Sequence, residues 1–441
     1  MLAGAAEASP QQPAGGLRLT FGISSDLRAH DNLDLDPVSA GSTLRFDNRL
    51  SFGLESETRR QKLALSVAGT FRTEDAPGTG FSTVIENPSV DLSYALEGAN
   101  ARLSFDASFD RTEVDGFTIL EEGEDPGEID LITDNGTRDS YRATMTFETG
   151  LNAPLGFLLE LEHRGTRYDG TTDPGLFKRT TNSAKATTKL RFSPRTEGQV
   201  MATFARYEAA DATSTKRDTR ALNFGITHEL SETTVIETSL GVRKIDDSVA
   251  GVTQGTELSL SLSRILPRGA IALHLNSEQT SAGRHSTVEV ERQYVLPAGS
   301  ITIGLGAMDA DGIDPRTIGK LDYSHELPRG RVTVSLSRSF NVSDEAEVQR
   351  VTRGALGLGY EITEFSELTF DLDYVDVSDA GTGGIIDRAR GQFRAAYQRE
   401  LARDWTLSLG YERRYLFTSG IGTAWDNAVF VTLDRSVSWF R

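Results

Sequence analysis

The sequence predicts an all-β protein, a single transmembrane antiparallel up-and-down β-barrel of about 22 strands, within a range of about 20–24. Three observations support this fold class. Apolar residues recur at every second position, a short turn motif repeats along the chain, and the 13 prolines fall at the termini, in connections or at the first residue of a predicted strand. Proline cannot donate to a central ladder, so this placement permits continuous strands.

The turn motif occurs in three copies. LPRG stands at 266–269, LPAG at 296–299 and LPRG again at 327–330, and an alternating stretch follows each copy. Proline ends the incoming strand, and glycine allows a positive φ in the turn. We therefore expect a tight antiparallel turn at each copy.

The predicted strands follow a period of two. After the first LPRG, Ile271, Leu273 and Leu275 alternate with Ala272 and His274. Such a period places every apolar side chain on one face of a strand. The same alternation recurs at 103–109, 332–336, 368–374 and 405–411.

Composition narrows the function classes. Hydrophobic residues make up 38% of the chain, cysteine is missing, and the formal net charge is −18. No run of 18 apolar residues occurs, which argues against a transmembrane helix. Without cysteine there are no disulfides or thiolate metal sites, and an acidic chain is a poor partner for nucleic acid.

The chain is predicted to divide into a flexible segment, 1–16, and a barrel, 17–441. Ala6-Glu7-Ala8 before Ser9-Pro10 looks like the end of a signal-peptide cleavage region. An ordinary disordered terminus is the alternative. Within the barrel, short connections alternate with longer polar segments, among them 74–87 and 113–137.

A membrane barrel fits this pattern better than a propeller or a sandwich. Propellers repeat units of four strands, and sandwiches need bulky inner residues and rarely hold strands this long. Here one face is Leu, Val, Ile and Phe, and the other is Ser, Thr, Gly and charged residues, as expected for lipid outside and water inside. An aromatic girdle is predicted at the two lipid interfaces, made of Trp405 and Trp439 near short turns and Tyr415, Phe417 and Trp425 near long loops.

The chain resembles bacterial outer-membrane β-barrel proteins, specifically the plugless, porin-like group, over about residues 17–440. The last predicted strand ends on Phe440, as in such proteins, although Arg441 follows it. The resemblance implies the outer membrane of a Gram-negative bacterium, with short periplasmic turns and longer extracellular loops. It also implies contacts with outer-membrane lipid, lipopolysaccharide and the barrel-assembly machinery.

A barrel of this size has a wide lumen, roughly 40–45 Å across between strand axes. Serine and glycine cannot fill it, and only about 16 residues precede the first predicted strand. We therefore expect a lumen that holds water, is narrowed by long loops, or is occupied by a periplasmic protein or lipoprotein partner.

Charged residues with the parity of the inner face are the candidate pore lining. Opposed charged walls would orient polar or anionic solutes, although any large barrel carries many charges at such positions. The basic candidates are Arg353, Arg388, Arg390, Arg394 and Arg414, and the acidic ones are Asp91, Asp106, Asp110, Asp371 and Asp373.

The longest predicted loop is acidic. It could constrict the pore or contact lipopolysaccharide through divalent cations, and a solvated acidic loop is the alternative. Its carboxylates are Glu121, Glu122, Glu124, Asp125, Glu128, Asp130 and Asp134. A second segment, 309–320, hints at a calcium loop, but Lys320 stands where a bidentate Glu is needed, so no metal site is expected.

Arg413 and Arg435 break the pattern because they have lipid-face parity. An arginine at the bilayer midplane costs about 2–4 kcal/mol, and less near an interface. A bulge that shifts the register, snorkelling, or a partner subunit that covers this wall would each accommodate such a residue. Snorkelling is the favoured explanation for Arg413, and the sequence favours none for Arg435.

The predicted function is a passive channel for hydrophilic solutes. The alternatives are an export conduit or scaffold whose lumen holds a protein or passes a polymer such as polysaccharide, and a surface adhesin or receptor. The six histidines are scattered and form no catalytic constellation, so neither an enzyme nor a cofactor is expected.

Overall fold

The protein folds as one closed antiparallel barrel of 22 strands, in agreement with the predicted fold class. The computed structural model describes residues 16–78, 80–114, 120–121, 129–130, 134, 136–281, 283–311, 313–342, 348–379, 386–402 and 404–440. Each barrel strand pairs with its neighbour in sequence, and β1 pairs with β24 to close the sheet. A separate pair, β6 and β7, lies between β5 and β8.

The strands, in chain order, are β1 (Gly16–His30), β2 (Thr43–Glu57), β3 (Gln61–Ala76), β4 (Gly80–Glu97), β5 (Ala101–Glu113), β6 (Leu120–Glu121), β7 (Ile129–Asp130), β8 (Thr137–Thr149), β9 (Leu155–Asp169), β10 (Arg179–Ser193), β11 (Thr196–Ala209), β12 (Lys216–Ser231), β13 (Thr234–Asp247), β14 (Gly251–Leu266), β15 (Gly269–Thr280), β16 (Gly283–Leu296), β17 (Gly299–Ala310), β18 (Ile313–Leu327), β19 (Gly330–Val342), β20 (Val348–Thr363), β21 (Ser366–Asp379), β22 (Arg388–Ala402), β23 (Trp405–Thr418) and β24 (Gly422–Phe440). The predicted flexible segment lies outside the described residues except for Gly16.

Register places the apolar residues of neighbouring strands in rows on the outer face. Phe21 of β1 lies opposite Phe52 of β2 and, across the closure, opposite Val437 of β24. The Phe21 side chain is 52% exposed, as expected for a residue that faces lipid. Residues of the other parity, such as Thr20 and Ser438, form the inner face.

The three LPxG copies are tight turns, but glycine is needed for a different reason from the one predicted. Only Gly269 has a positive φ, at 120°. At Gly269, Gly299 and Gly330, a Cβ atom would lie 2.0–2.1 Å from a backbone oxygen of the next strand. The close approach of two strands, more than the turn conformation, therefore excludes a side chain.

The strands continue further toward the long-loop end than the sequence indicated. Segment 74–87 was predicted to be a loop, but β3 runs to Ala76 and β4 begins at Gly80. Pro88 therefore lies inside a strand, contrary to the prediction for prolines. The ladder tolerates it because the register shifts between Ala68 and Thr70, and Asn87 adopts a φ of 51° at this bulge.

The described residues form no single packed core. The buried apolar clusters are small and gather near the long-loop end, for example Val351, Val375 and Val377. Within the described residues, no helix is long and apolar enough to cross a membrane.

Candidate functional site: the inner wall of the barrel

The predicted basic residues lie together on the inner face of β20, β22 and β23. In register, Arg353 and Arg390 flank Val375, and Arg394 lies opposite Asp371. Basic and acidic side chains thus alternate across neighbouring strands. The residues of this set with inner-face parity are Arg353, Arg388, Arg390, Arg394, Arg414, Asp371 and Asp373.

An ionic network fastens the wall where β24 meets β1. Asp426 is fully buried, and its carboxylate accepts a hydrogen bond from the Nε of Arg414 at 2.8 Å. His30 Nδ1 lies 2.8 Å from Asp426 Oδ2. Arg28 donates to Glu412 at 3.3 Å. Losing one partner of a buried ion pair costs about 3–5 kcal/mol, so this network fixes its members firmly.

An aromatic ring completes this part of the wall. The guanidinium of Arg394 lies 4.5 Å from the ring centre of Phe430, and that of Arg28 lies 5.2 Å from it. Gly410 stands opposite Phe430 in register, and a Cβ atom there would lie 2.3 Å from the ring. Glycine at position 410 therefore leaves the space that the Phe430 ring occupies.

The connection 31–42 folds onto this network. The backbone N–H of Asn32 donates to Asp426 at 3.1 Å, and Arg414 donates to the carbonyl of Leu33 at 2.9 Å. Leu35 is 4% exposed and packs against Leu416 and Ala424, which have inner-face parity. The loop therefore lies inside the barrel mouth and narrows it.

The connection 170–178 is fixed in a similar way. Asp134 accepts hydrogen bonds from the backbone N–H groups of Thr172 and Asp173, at 2.6 and 2.7 Å. Leu176 packs against Val114, both being buried. Asp134 thus has a structural contact that the sequence did not indicate.

The other six predicted acidic-loop residues belong to a small strand pair or lie outside the described residues. Glu121 and Asp130 belong to the small β6–β7 pair. The remaining four, Glu122, Glu124, Asp125 and Glu128, lie outside the described residues.

The predicted acidic wall carries Asp91, Asp106 and Asp110 on the inner faces of β4 and β5. Ser66 donates to Asp91, and Thr112 donates to Asp110, each at 3.2 Å. A transverse field across the lumen stays a prediction, because basic side chains stand on this wall too.

Two basic residues that the sequence analysis did not single out are Arg142 of β8 and Arg164 of β9. They lie directly opposite each other on the inner face. Arg142 and Asp106 line the same cavity of about 490 Å³. Continuing the alternation of β8 and β9 to their polar positions would have identified both arginines.

The predicted girdle residues lie on the outer face of β23 and β24. The rings of Tyr415 and Trp425 are 4.6 Å apart, and Trp439 meets Phe21 edge to face at 5.9 Å. Phe417 and Trp405 share this parity. Trp439, not Phe440, is the last aromatic residue with outer-face parity, because Phe440 lies opposite Arg18 of the inner face.

Arg413 and Arg435, the two outer-face arginines singled out from the sequence, each have an aromatic partner. The guanidinium of Arg413 lies 4.2 Å from the ring centre of Trp425, and that of Arg435 lies 5.1 Å from that of Trp405. Cation–π contacts at the two rims of the apolar band explain how these charges are accommodated, including Arg435.

No group of three or more His, Asp or Glu side chains in the described part of the chain is arranged to hold a metal ion.

One loop carboxylate, that of Asp211, is held by hydrogen bonds from neighbouring threonines. Burial raises the pKa of Asp211, but hydrogen bonds from Thr215 and Thr213 outweigh this and lower the pKa overall. Asp211 thus shapes the connection 210–215.

Comparison with solved structures supports the barrel fold of this chain. No protein-family model and no curated protein matches the sequence. Solved structures do match: the siderophore receptor PirA of Pseudomonas aeruginosa is 13% identical, with a TM-score of 0.56, over 97% of this chain and 81% of that one.

The chain has the fold of a 22-stranded outer-membrane β-barrel. A variant of the ferric enterobactin receptor PfeA of P. aeruginosa is 12% identical, with a TM-score of 0.59, over 97% of this chain and 81% of that one. The ferric-catecholate import receptor Fiu of E. coli K12 is 11% identical, with a TM-score of 0.58, over 97% and 82%. At such identities the likeness shows the fold alone, and the outer-membrane location predicted from the sequence agrees with it.

Proposed function

We propose that this protein transports hydrophilic solutes across the outer membrane by passive diffusion through its lumen. The observation that carries the proposal is the polar and charged inner face, set against an outer face of exposed apolar residues such as Phe21 and Val431. Water and polar solutes favour such a wall, whereas lipid favours the other face.

In this proposal, connection 31–42, which folds into the mouth, and connection 170–178, which packs against Val114, set the width of the opening at the long-loop end. Both are fastened by hydrogen bonds to charged side chains, so the opening has a defined size. The protein acts without catalysis or a cofactor, and its other partners are outer-membrane lipid, lipopolysaccharide and the barrel-assembly machinery.

The fold likeness favours a second candidate, receptor-type uptake of a larger solute. The comparison structures are named as siderophore and ferric-catecholate receptors, and such uptake needs a closed path that opens in steps. An export conduit or scaffold for a protein partner predicts a closed barrel too.

Planar-bilayer recording on the purified full chain separates these functions. A channel gives steady conductance without added protein, and sugars of increasing size lower the conductance until they no longer enter. A membrane that stays closed with the wild-type protein contradicts passive diffusion. Saturable binding of a ferric chelate to that closed barrel would then support the receptor, and opening with a periplasmic partner would support the conduit.

A further inference from the structure

We infer that Arg142 and Arg164 form a binding site for a phosphate-type polyanion on the inner wall of the barrel. This inference rests on the proposed function in that it names a class of solute which the lumen would hold in transit. The site is a cavity of about 320 Å³ that both arginines line.

The first argument is the placement of two like charges. Arg142 and Arg164 are directly opposite each other on neighbouring strands and face the same way. Directly opposite side chains have Cβ atoms about 4.5–5.5 Å apart, and like charges in this position destabilise a sheet. Glu162 compensates the charge of Arg142, and an anion bound between the two arginines would compensate that of Arg164 and accept hydrogen bonds from both guanidinium groups.

The second argument is the hydrogen-bonding state of the two arginines. Arg142 donates from Nη2 to both oxygens of Glu162, at 3.0 and 3.1 Å, and this contact holds its guanidinium in place. Within the described part of the chain, Arg164 has no ion pair or side-chain hydrogen bond. One arginine is thus oriented, and the other is available to a ligand.

The third argument is the rest of the lining. Ser140 Oγ is buried in this cavity without a hydrogen-bond partner, although its hydroxyl can donate. Arg138 and Arg179 also line the cavity and have interactions of their own, so the inference does not depend on them. Asp110 is the acidic residue of the lining, and Thr112 donates to it.

These features select the ligand. Arginine side chains present paired N–H groups that match phosphate oxygens, and these two arginines lie opposite each other on neighbouring strands. A compact group with two or more phosphates suits two facing arginines better than a single carboxylate. The N–H donors contact only the phosphate groups, so the site does not specify the organic part of the solute.

The test is calorimetric titration of inorganic pyrophosphate into the detergent-solubilised full chain at low ionic strength. We expect saturable binding that weakens at least about tenfold in Arg164→Gln, as expected for the loss of charge-assisted hydrogen bonds. Arg164→Lys keeps the charge and should lose less. Arg220→Gln is the matched control, because Arg220 is an exposed arginine on the outer face near Phe204.

Equal binding by Arg164→Gln and the control, or no saturable binding by the wild type, overturns the site. Melting curves in detergent show that each variant is folded before it is titrated. The titration needs no conduction, so the two proposals fail separately. A barrel that binds pyrophosphate but never conducts refutes the channel alone, and one that conducts without binding refutes the site alone.

Discussion

Replacing Asp426 with alanine should release the connection 31–42 from the barrel wall. The carboxylate joins Arg414, His30 and the backbone of Asn32, and it is fully buried. Its loss leaves the buried Arg414 with the Leu33 carbonyl and with the Glu412 carboxylate at 4.0 Å, and should cost up to about 3–5 kcal/mol of unfolding free energy. The loop itself loses a hydrogen bond to a charged group, about 1.5–3 kcal/mol.

Hydrogen exchange at Leu35 reports this release without depending on the deleted carboxylate. The Leu35 amide donates to the carbonyl of Asn32 at 3.0 Å, within the loop. A loss of about 1.5–3 kcal/mol should speed its exchange about 10- to 150-fold. In a conducting barrel, the same variant should also widen the size limit for sugars.

Asp434→Ala is the matched control. Asp434 has the same parity on the same strand and lines a different cavity, of about 940 Å³. If Leu35 exchanges at the same rate in the two variants, the carboxylate of Asp426 does not hold the loop, and the account of the narrowed mouth is wrong. A faster rate only in Asp426→Ala supports it.

Two further variants test the wall and a loop. Gly410→Ala places a Cβ atom 2.3 Å from the Phe430 ring and should cost about 1–3 kcal/mol of stability, measured as a lower melting temperature in detergent. Gly69→Ala is the control and should leave the melting temperature unchanged, because nothing lies within 4 Å of its Cβ. Equal melting temperatures for the two variants would contradict the packing of Phe430 against Gly410. Hydrogen bonds hold the pKa of Asp211 below its usual value of about 3.9 despite burial, so its stabilising effect is present above that pH and is lost as pH falls through the folded-state pKa. The melting advantage of the wild type over Asp211→Asn should therefore be constant near neutral pH and shrink in acid, and an advantage that persists in strong acid would refute the assignment.

The barrel itself could be predicted from the sequence because residues that alternate with a period of two lie on opposite faces of a β-strand. Once Ile271, Leu273 and Leu275 share a face, the outer wall follows, and the lipid-face parity of Arg413 and Arg435 follows with it. The strand ends could not be predicted, since the segment around Pro88 has the composition of a loop and forms a bulged strand. Parity says which face a residue occupies, and it does not say how far the strand extends.

The contacts of the inner wall depend on register, which a single strand does not reveal. His30 and Asp426 are 396 positions apart, and they meet only because β1 pairs with β24. The same holds for Arg142 and Arg164, whose opposition needs the offset of β8 against β9. A histidine that looked isolated along the chain thus belongs to an ionic network.

The pairing of Arg18 with Phe440 brings both ends of the described chain to a single rim. Because the barrel has an even number of strands, the last strand ends at the rim where the first strand begins, and the two strands pair. The strand pairing is continuous around the barrel, so the sheet does not require the chain to begin at β1. A few added residues joining the two ends, with a new break at the turn 58–60, would give a circularly permuted protein that keeps every strand pairing of the barrel.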